Sequence, residues 1–357
     1  MNILHPRSDA ERLLAAPRAF TTRRVPLEEI RCLLHDTRRP RAGDLVLVRI
    51  ETLGHHRRLH LPDGRQRRVF VGDEVIIAYA NRYASRQFEA VVPDNLERCH
   101  LVAAGGVAAT ALSWPERVWR GPTVVMPIGL LSNSPNGEPI NAADWGLPRT
   151  SLLPQYGPPV IAVVGTAMHS GKTTVAACLV RGLRRIHRRV GFAKVTGTGA
   201  AGDVFVLHDA GANPVLDFTD VGYVSTYRVV LSKLEDILMQ LIAHLQQDNV
   251  DVIVIEVADG LLQPETSVLI ASNTFRSLVS GLIFTASDAM GAAFGAERLR
   301  YLGLKLLAIS GVLTSSALQV REASEATGLP VIGCDRFLSP TEVSKLLDSA
   351  SNWEIEG

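Results

Sequence analysis

The chain has 357 residues, 46% of them hydrophobic and 20% charged, and a net charge of +1. That length suits two soluble domains with substantial cores, and the charge points to no obligatory polyanionic partner. Four scattered cysteines without a C-x-x-C pair argue against a disulfide framework or a zinc site and fit a reducing compartment. No run of about 18 apolar residues offers a membrane helix. The opening MNILHPRSDAERLL lacks a signal-peptide core, so a cytoplasmic protein with no membrane association is expected.

Residues 1–40 are Arg-rich, with one short amphipathic helix predicted over 26–35. From Ala42 the pattern changes to short apolar strands cut by turns: 44–50, 67–71, 74–80 and 88–92, punctuated by PDG and GD. This reads as a small antiparallel barrel or sandwich. AAGGVAATAL (103–112) reads as a short helix and TVVMPIGLL (123–131) as a further strand. The arginines and histidines of 23–68 read as a solvated face, because the aromatic interleaving of a nucleic-acid surface is sparse. His55, His56 and His60 lack a cysteine or carboxylate spaced to complete a metal site. A Pro/Gly/Asn/Ser-rich stretch, 132–159, reads as a connector, and the boundary is placed near 153–158. The expected division is a mainly-β domain over 1–153 and an α/β domain over 154–357.

Beyond Pro159 apolar strands alternate with helical stretches: 160–165, 190–195, 251–257, 280–286, 304–313 and 329–333. Uniformly apolar strands between helices imply a mostly parallel sheet covered on both faces. Ligands of such sheets bind beyond the carboxyl ends of the strands.

The first of these strands runs into Gly165-Thr166-Ala167-Met168-His169-Ser170-Gly171-Lys172-Thr173-Thr174 and then an apolar helix. Strand, glycine-bounded loop and helix make a phosphate-binding loop. Its N–H groups and the helix dipole face phosphate oxygens, Lys172 reaches the β/γ-phosphates, and the Thr173 hydroxyl ligates Mg²⁺. Five residues separate Gly165 from Gly171 where the common loop has four, so Thr166 takes the usual first-glycine position. The expected nucleotide contacts are Gly165, Thr166, His169, Ser170, Gly171, Lys172, Thr173 and Thr174. Glu256 closes an apolar strand, where a carboxylate commonly binds Mg²⁺ or orients a nucleophile. Asp217 and Asp220 suit either the site or turn capping, and Asp259 is a weaker site candidate.

Four features in order resemble dethiobiotin synthetase and the P-loop ligases around it: the five-residue loop, Lys194 followed by VTGTG, Asp203 opening a helix, and Glu256-x-x-x-Gly260-x-x-x-Pro264. The resemblance covers roughly 159–335. It implies a P-loop NTPase domain preceded by a small mainly-β domain, with ATP and Mg²⁺ as cofactors. Thr173, Asp203 and Glu256 would hold the metal, Lys172, Lys194 and Glu256 would serve catalysis, and Lys194 would face an acyl-phosphate or carbamate. A homodimer is likewise implied. His169, Met168 and Ser287 depart from the family's pattern, as does Thr314, which stands where an asparagine helps hold adenine. With about 150 extra residues in front, these departures direct the reading away from biotin synthesis. An ATP-dependent ligase acting on an unidentified small-molecule acceptor is expected. The alternatives are a small-molecule kinase and a nucleotide-switched ATPase or chaperone acting on a protein partner; no N-K-x-D signature supports a guanine switch.

Overall fold

A computed structural model describes residues 8–35, 38–150 and 157–351. The chain forms two compact units. The first comprises the residues up to Pro148 together with Thr198–Gly202 and Thr219–Tyr227; the second comprises Arg149–Gly197, Asp203–Phe218 and the residues from Arg228 onward. The boundary expected at 153/154 lies outside the described residues.

The N-terminal unit begins with helix α1 (Asp9–Ala15), capped by Ser8 and Glu11 in reciprocal hydrogen bonds. Among the described residues ten strands follow: β1 (Cys32–Leu34), β2 (Leu45–Thr52), β3 (Arg58–His60), β4 (Gln66–Arg68), β5 (Glu74–Tyr79), β6 (Arg82–Tyr83), β7 (Glu89–Val91), β8 (Cys99–Ala103), β9 (Val107–Ser113) and β10 (Thr123–Ser132). Successive pairings β10–β2, β2–β5, β5–β9, β9–β8 and β8–β10 close a five-stranded ring, which leaves no open edge along that circuit. The expected barrel is thus present, with one correction: β5 and β9 pair in parallel. Strand alternation supplies two cores. Leu45, Leu47, Ile76 and Ala78 enter one, while Val46, Val48, Val75 and Ile77 enter the other.

Three local expectations fail here for identifiable reasons. The helix predicted over 26–35 is a single 3₁₀ turn, Leu27–Glu29, followed by β1, because Leu33 and Leu34 are buried by pairing with β10. The helix predicted over 103–112 is a Gly-Gly turn leading into β9. Val107 and Ala109 fill one core and Ala108 the other, which is a period of two. The strand predicted over 67–71 stops at Arg68, and beyond buried Val69 the side chains of Phe70 and Val71 are exposed.

The C-terminal unit holds β11 (Val160–Gly165), α2 (Lys172–Arg185), β12 (Val190–Lys194), α3 (Ala201–Ala210), β13 (Val215–Asp217), α4 (Leu231–Gln247), β14 (Val252–Glu256), α5 (Pro264–Ile270), α6 (Asn273–Leu278), β15 (Gly281–Thr285), α7 (Ala289–Tyr301), β16 (Leu306–Ser310), α8 (Ala317–Thr327), α9 (Cys334–Phe337) and α10 (Pro340–Ser351). The strands lie in the order β13-β12-β14-β11-β15-β16, every pair parallel, as the uniformly apolar runs predicted. Ile161 and Val163 join Val175, Leu179 and Leu183 of α2 in one core; Ala162 and Val164, equally buried, point to the opposite face. The segment 329–333, predicted as a strand, does not extend this six-stranded sheet. Only Val331 bridges Ile309, next to Pro330, which has no N–H to continue a ladder.

Candidate functional site

Sheet register assembles the site. Lys194 ends β12 and Glu256 ends β14, and the two are direct partners across adjacent parallel strands. Val163, on the β11 strand that feeds the glycine loop, pairs with the same Glu256. Two residues 62 positions apart in sequence therefore stand one strand spacing apart, about 4.8 Å.

The loop between β11 and α2 is fixed by its neighbours. Thr166 donates its N–H to Thr285 O (2.9 Å), the Ser170 and Thr285 hydroxyls are hydrogen-bonded at 2.8 Å, and Val312 donates its N–H to Ser170 O at 3.1 Å. Gly171 precedes the helix at φ 102°, a left-handed conformation that glycine adopts without a Cβ penalty. His169 sits at φ 66° on the exposed side of the loop. Gly260 passes so close beneath the loop that a Cβ there would overlap the Thr166 carbonyl and lie 2.7 Å from the Ala167 Cα.

A cavity of about 390 Å³ is lined by Met168, His169, Gly171, Lys172, Thr173, Thr174, Lys194, Asp203, Glu256, Ala258, Asp259 and Val312. Lys172 is buried, its ammonium donating to Ala167 O (2.9 Å) and Asp259 O (2.5 Å). Lys194 forms an ion pair with Asp203 and lies 3.6 Å from Glu256 Oε1. Glu256 is buried, and its Oε2 has no hydrogen-bond partner among the described residues.

These charges tune one another. Burial pushes the Lys172 ammonium below the ordinary lysine range, with Glu256 and Asp259 pulling against it. Burial opposes the charge of Lys194 too, but Asp203 and Glu256 outweigh it and hold that ammonium above the ordinary range. Asp203 stays below the usual carboxylate range because Lys194 overcomes its desolvation. Glu256 is raised by burial, which Lys194 and Lys172 offset only in part. The Thr173 hydroxyl favours the charged form of both carboxylates.

Thr173, Asp203 and Glu256 are hard oxygen donors, the set Mg²⁺ takes, and the unpartnered Glu256 Oε2 leaves acceptor capacity for a cation. The residues fit that ion. Of the sequence-predicted contacts, His169, Gly171, Lys172, Thr173, Thr174, Lys194, Asp203 and Glu256 line the one cavity. Gly165, Thr166 and Ser170 shape the loop from behind. Thr314 is not among the lining residues, its hydroxyl donating to Gly311 O at 2.8 Å. Asp217 is buried on β13 as the register partner of Lys194, whereas Asp220 pairs with Arg23 at 2.7 Å in the N-terminal unit.

Ala258 and Val312 are cavity residues without a sequence signal of their own. The Ala258 carbonyl is fixed by the hydroxyls of Thr196 and Thr266 (2.6 Å for the latter). Val312 arrives from beyond β16, a placement that only the strand order decides.

A family model described as an AAA domain matches residues 160–334. No curated protein matches the chain. Among solved structures, the signal recognition particle receptor FtsY from Elizabethkingia anophelis is 18% identical, with 54% of this chain and 65% of that one covered and a TM-score of 0.37. The signal recognition particle 54 kDa protein from Aeropyrum pernix K1, in complex with GDP, is 18% identical, with coverages of 56% and 50% and a TM-score of 0.36. A DUF1611 family protein from Anabaena variabilis is 17% identical, with coverages of 56% and 59% and a TM-score of 0.39. The chain thus spans under two thirds of the length of each of these three proteins.

Proposed function

We propose that the C-terminal unit, a P-loop NTPase domain, transfers the γ-phosphoryl group of ATP to a carboxylate or carbamate oxygen of a small-molecule acceptor. The observation that carries this reading is a second, half-buried lysine beside the loop lysine. Lys194 is locked between Asp203 and Glu256 in the cavity that also holds Lys172. A fixed cation there offsets the charge of a phosphoryl group as it passes from leaving to attacking oxygen.

In the reaction the acceptor oxygen attacks the γ-phosphorus, the bond to the β–γ bridging oxygen breaks, and ADP departs with the electron pair. Lys172 must exchange the Ala167 and Asp259 carbonyls for phosphate oxygens. Lys194 remains protonated throughout, since its two carboxylates hold it so. Thr173, Asp203 and Glu256 would hold Mg²⁺, which when bound supplies charge neutralisation at the phosphates. The loop and α2 N–H groups orient the oxygens without reorganising. The resemblance to dethiobiotin synthetase supports the acceptor class, ATP as the nucleotide and a homodimeric, cytoplasmic enzyme.

The test is ADP release from the purified chain with ATP and Mg²⁺ over a panel of small carboxylates, and amines with bicarbonate. Release that requires one acceptor is expected, with a product mass showing condensation or carboxylation. A stable product heavier by one phosphate would mean a kinase. Steady hydrolysis indifferent to every acceptor would sink the transfer reading in favour of a switch ATPase. Lys172→Ala is expected to lower turnover by at least about 100-fold, the scale of one transition-state charge contact. Its thermal melt should stay close to that of the parent.

A further inference from the structure

We propose that Cys178 and Cys334 form a reversible disulfide that ties the helix behind the phosphate loop to α9. The two cysteines are 156 residues apart and carry no motif, yet the fold packs the helices that carry them against each other. Along α2, a Cβ on Gly182 would overlap the Phe337 carbonyl, and that position lies 2.8 Å from a Val343 methyl. One turn onward the Arg185 guanidinium donates to Leu338 O at 2.9 Å. Cys178 is one turn before Gly182, and Cys334 one turn before Phe337, so the thiols occupy the next contact along the same seam. Both are half-buried, both pack on the same core cluster, and both are free thiols. Each thiol perturbs the titration of the other, as only near neighbours do.

Their mutual influence makes the pair unequal. Cys334 is lowered to about 7 by its neighbour Cys178, against the opposing effect of burial, while Cys178 is raised by Cys334 and by burial. One is suited to attack and the other to resolve. By contrast Cys99 is fully buried in the barrel and pushed up to about 12 by desolvation.

With a disulfide oxidant such as oxidised glutathione, the Cys334 thiolate attacks one sulfur and a glutathione thiolate leaves. Cys178, giving up its proton, then attacks the Cys334 sulfur and expels nothing from the protein but the second glutathione thiolate. Two protein thiols lose two protons and two electrons, and one glutathione disulfide becomes two thiols.

The experiment treats the full chain with oxidised glutathione, counts thiols under native quench, and maps peptides by mass. The count should fall from four to two, with a 178–334 cross-link that dithiothreitol reverses. Cys178→Ser should instead accumulate one glutathione on Cys334, and Cys334→Ser should acquire neither modification at the seam. The proposal is overturned if the parent keeps four thiols, stops at a mixed disulfide, or cross-links through Cys32 or Cys99. Because the parent protein gives the deciding measurement, a variant that folds poorly does not rescue the idea.

Discussion

Glu256 shows how a single side chain can be shaped for a ligand rather than for stability. A buried carboxylate oxygen without a partner costs free energy in an isolated fold, and here Lys194 already has Asp203 as its closer partner. Glu256→Gln should therefore alter folding stability by no more than about 1 kcal/mol, since it removes a charge whose burial works against it. The same variant should lose the thermal shift that Mg²⁺ with ATP gives the parent; a retained shift would remove Glu256 from the metal site. Cys334 offers a pH test at the same scale. Thiolate is the reactive form, so a thiol lowered to about 7 gains reactivity as pH rises through that value and levels off above it. Iodoacetamide labelling of Cys334 should have its midpoint near there and not at the ordinary thiol value. In Cys178→Ala the midpoint should move upward, because the neighbouring donor that lowers it is gone.

Among the elements, α2 has two jobs on its two ends. Its first turn presents Lys172 and Thr173 to the cavity, and its last turn packs against α9 through Gly182. Gly182→Val would drive a side chain into the Phe337 carbonyl, backbone that cannot swing aside like a flexible side chain. Overpacking of this kind should cost about 1–3 kcal/mol, read as a lower urea midpoint at unchanged slope. The β12–β14 pair is the other decisive element. Its register puts Lys194 opposite Glu256, and a one-residue slip would send both side chains to the other face of the sheet. The hydrophobic alternation around them, Phe192 and Val254 on the α2 side, is what forbids the slip.

On the scale of the whole molecule, the chain does not divide at one point. The N-terminal unit takes Thr198–Gly202 and Thr219–Tyr227 from the later sequence. Val224 joins its core, and Asp220, with a side chain 9% exposed, is paired with Arg23 and lies 3.5 Å from Arg24. A fragment ending at Pro148 leaves Arg23 without its carboxylate and the core without Val224. Expressed alone, it should melt at a clearly lower temperature than the corresponding transition of the full chain, or fail to fold. A fragment as stable as the parent unit would show those later segments to be dispensable.

Much of the C-terminal architecture was legible because its signals are local. A run of apolar residues bounded by turns means a buried strand wherever it lies, and Gly171-Lys172-Thr173 behind such a strand means a phosphate loop. The barrel was legible as β-rich, but not its parallel β5–β9 pairing or the strand at 107–113, because pairing partners and burial, not propensity, settle those segments. Lys194 and Asp203 could be named from a resemblance, but their joining to Glu256 is a matter of sheet register. Val312 and the α2–α9 seam that carries Cys178 and Cys334 could not be read at all, since each depends on elements brought together from distant parts of the sequence. By itself, then, the sequence determined the strand periodicities and the phosphate loop, whose physics is contained in a few adjacent residues. Only the tertiary structure decided which charges meet, which carboxylate oxygen is left unpartnered and which cysteine-bearing helices pack together, because those follow from strand order and helix packing.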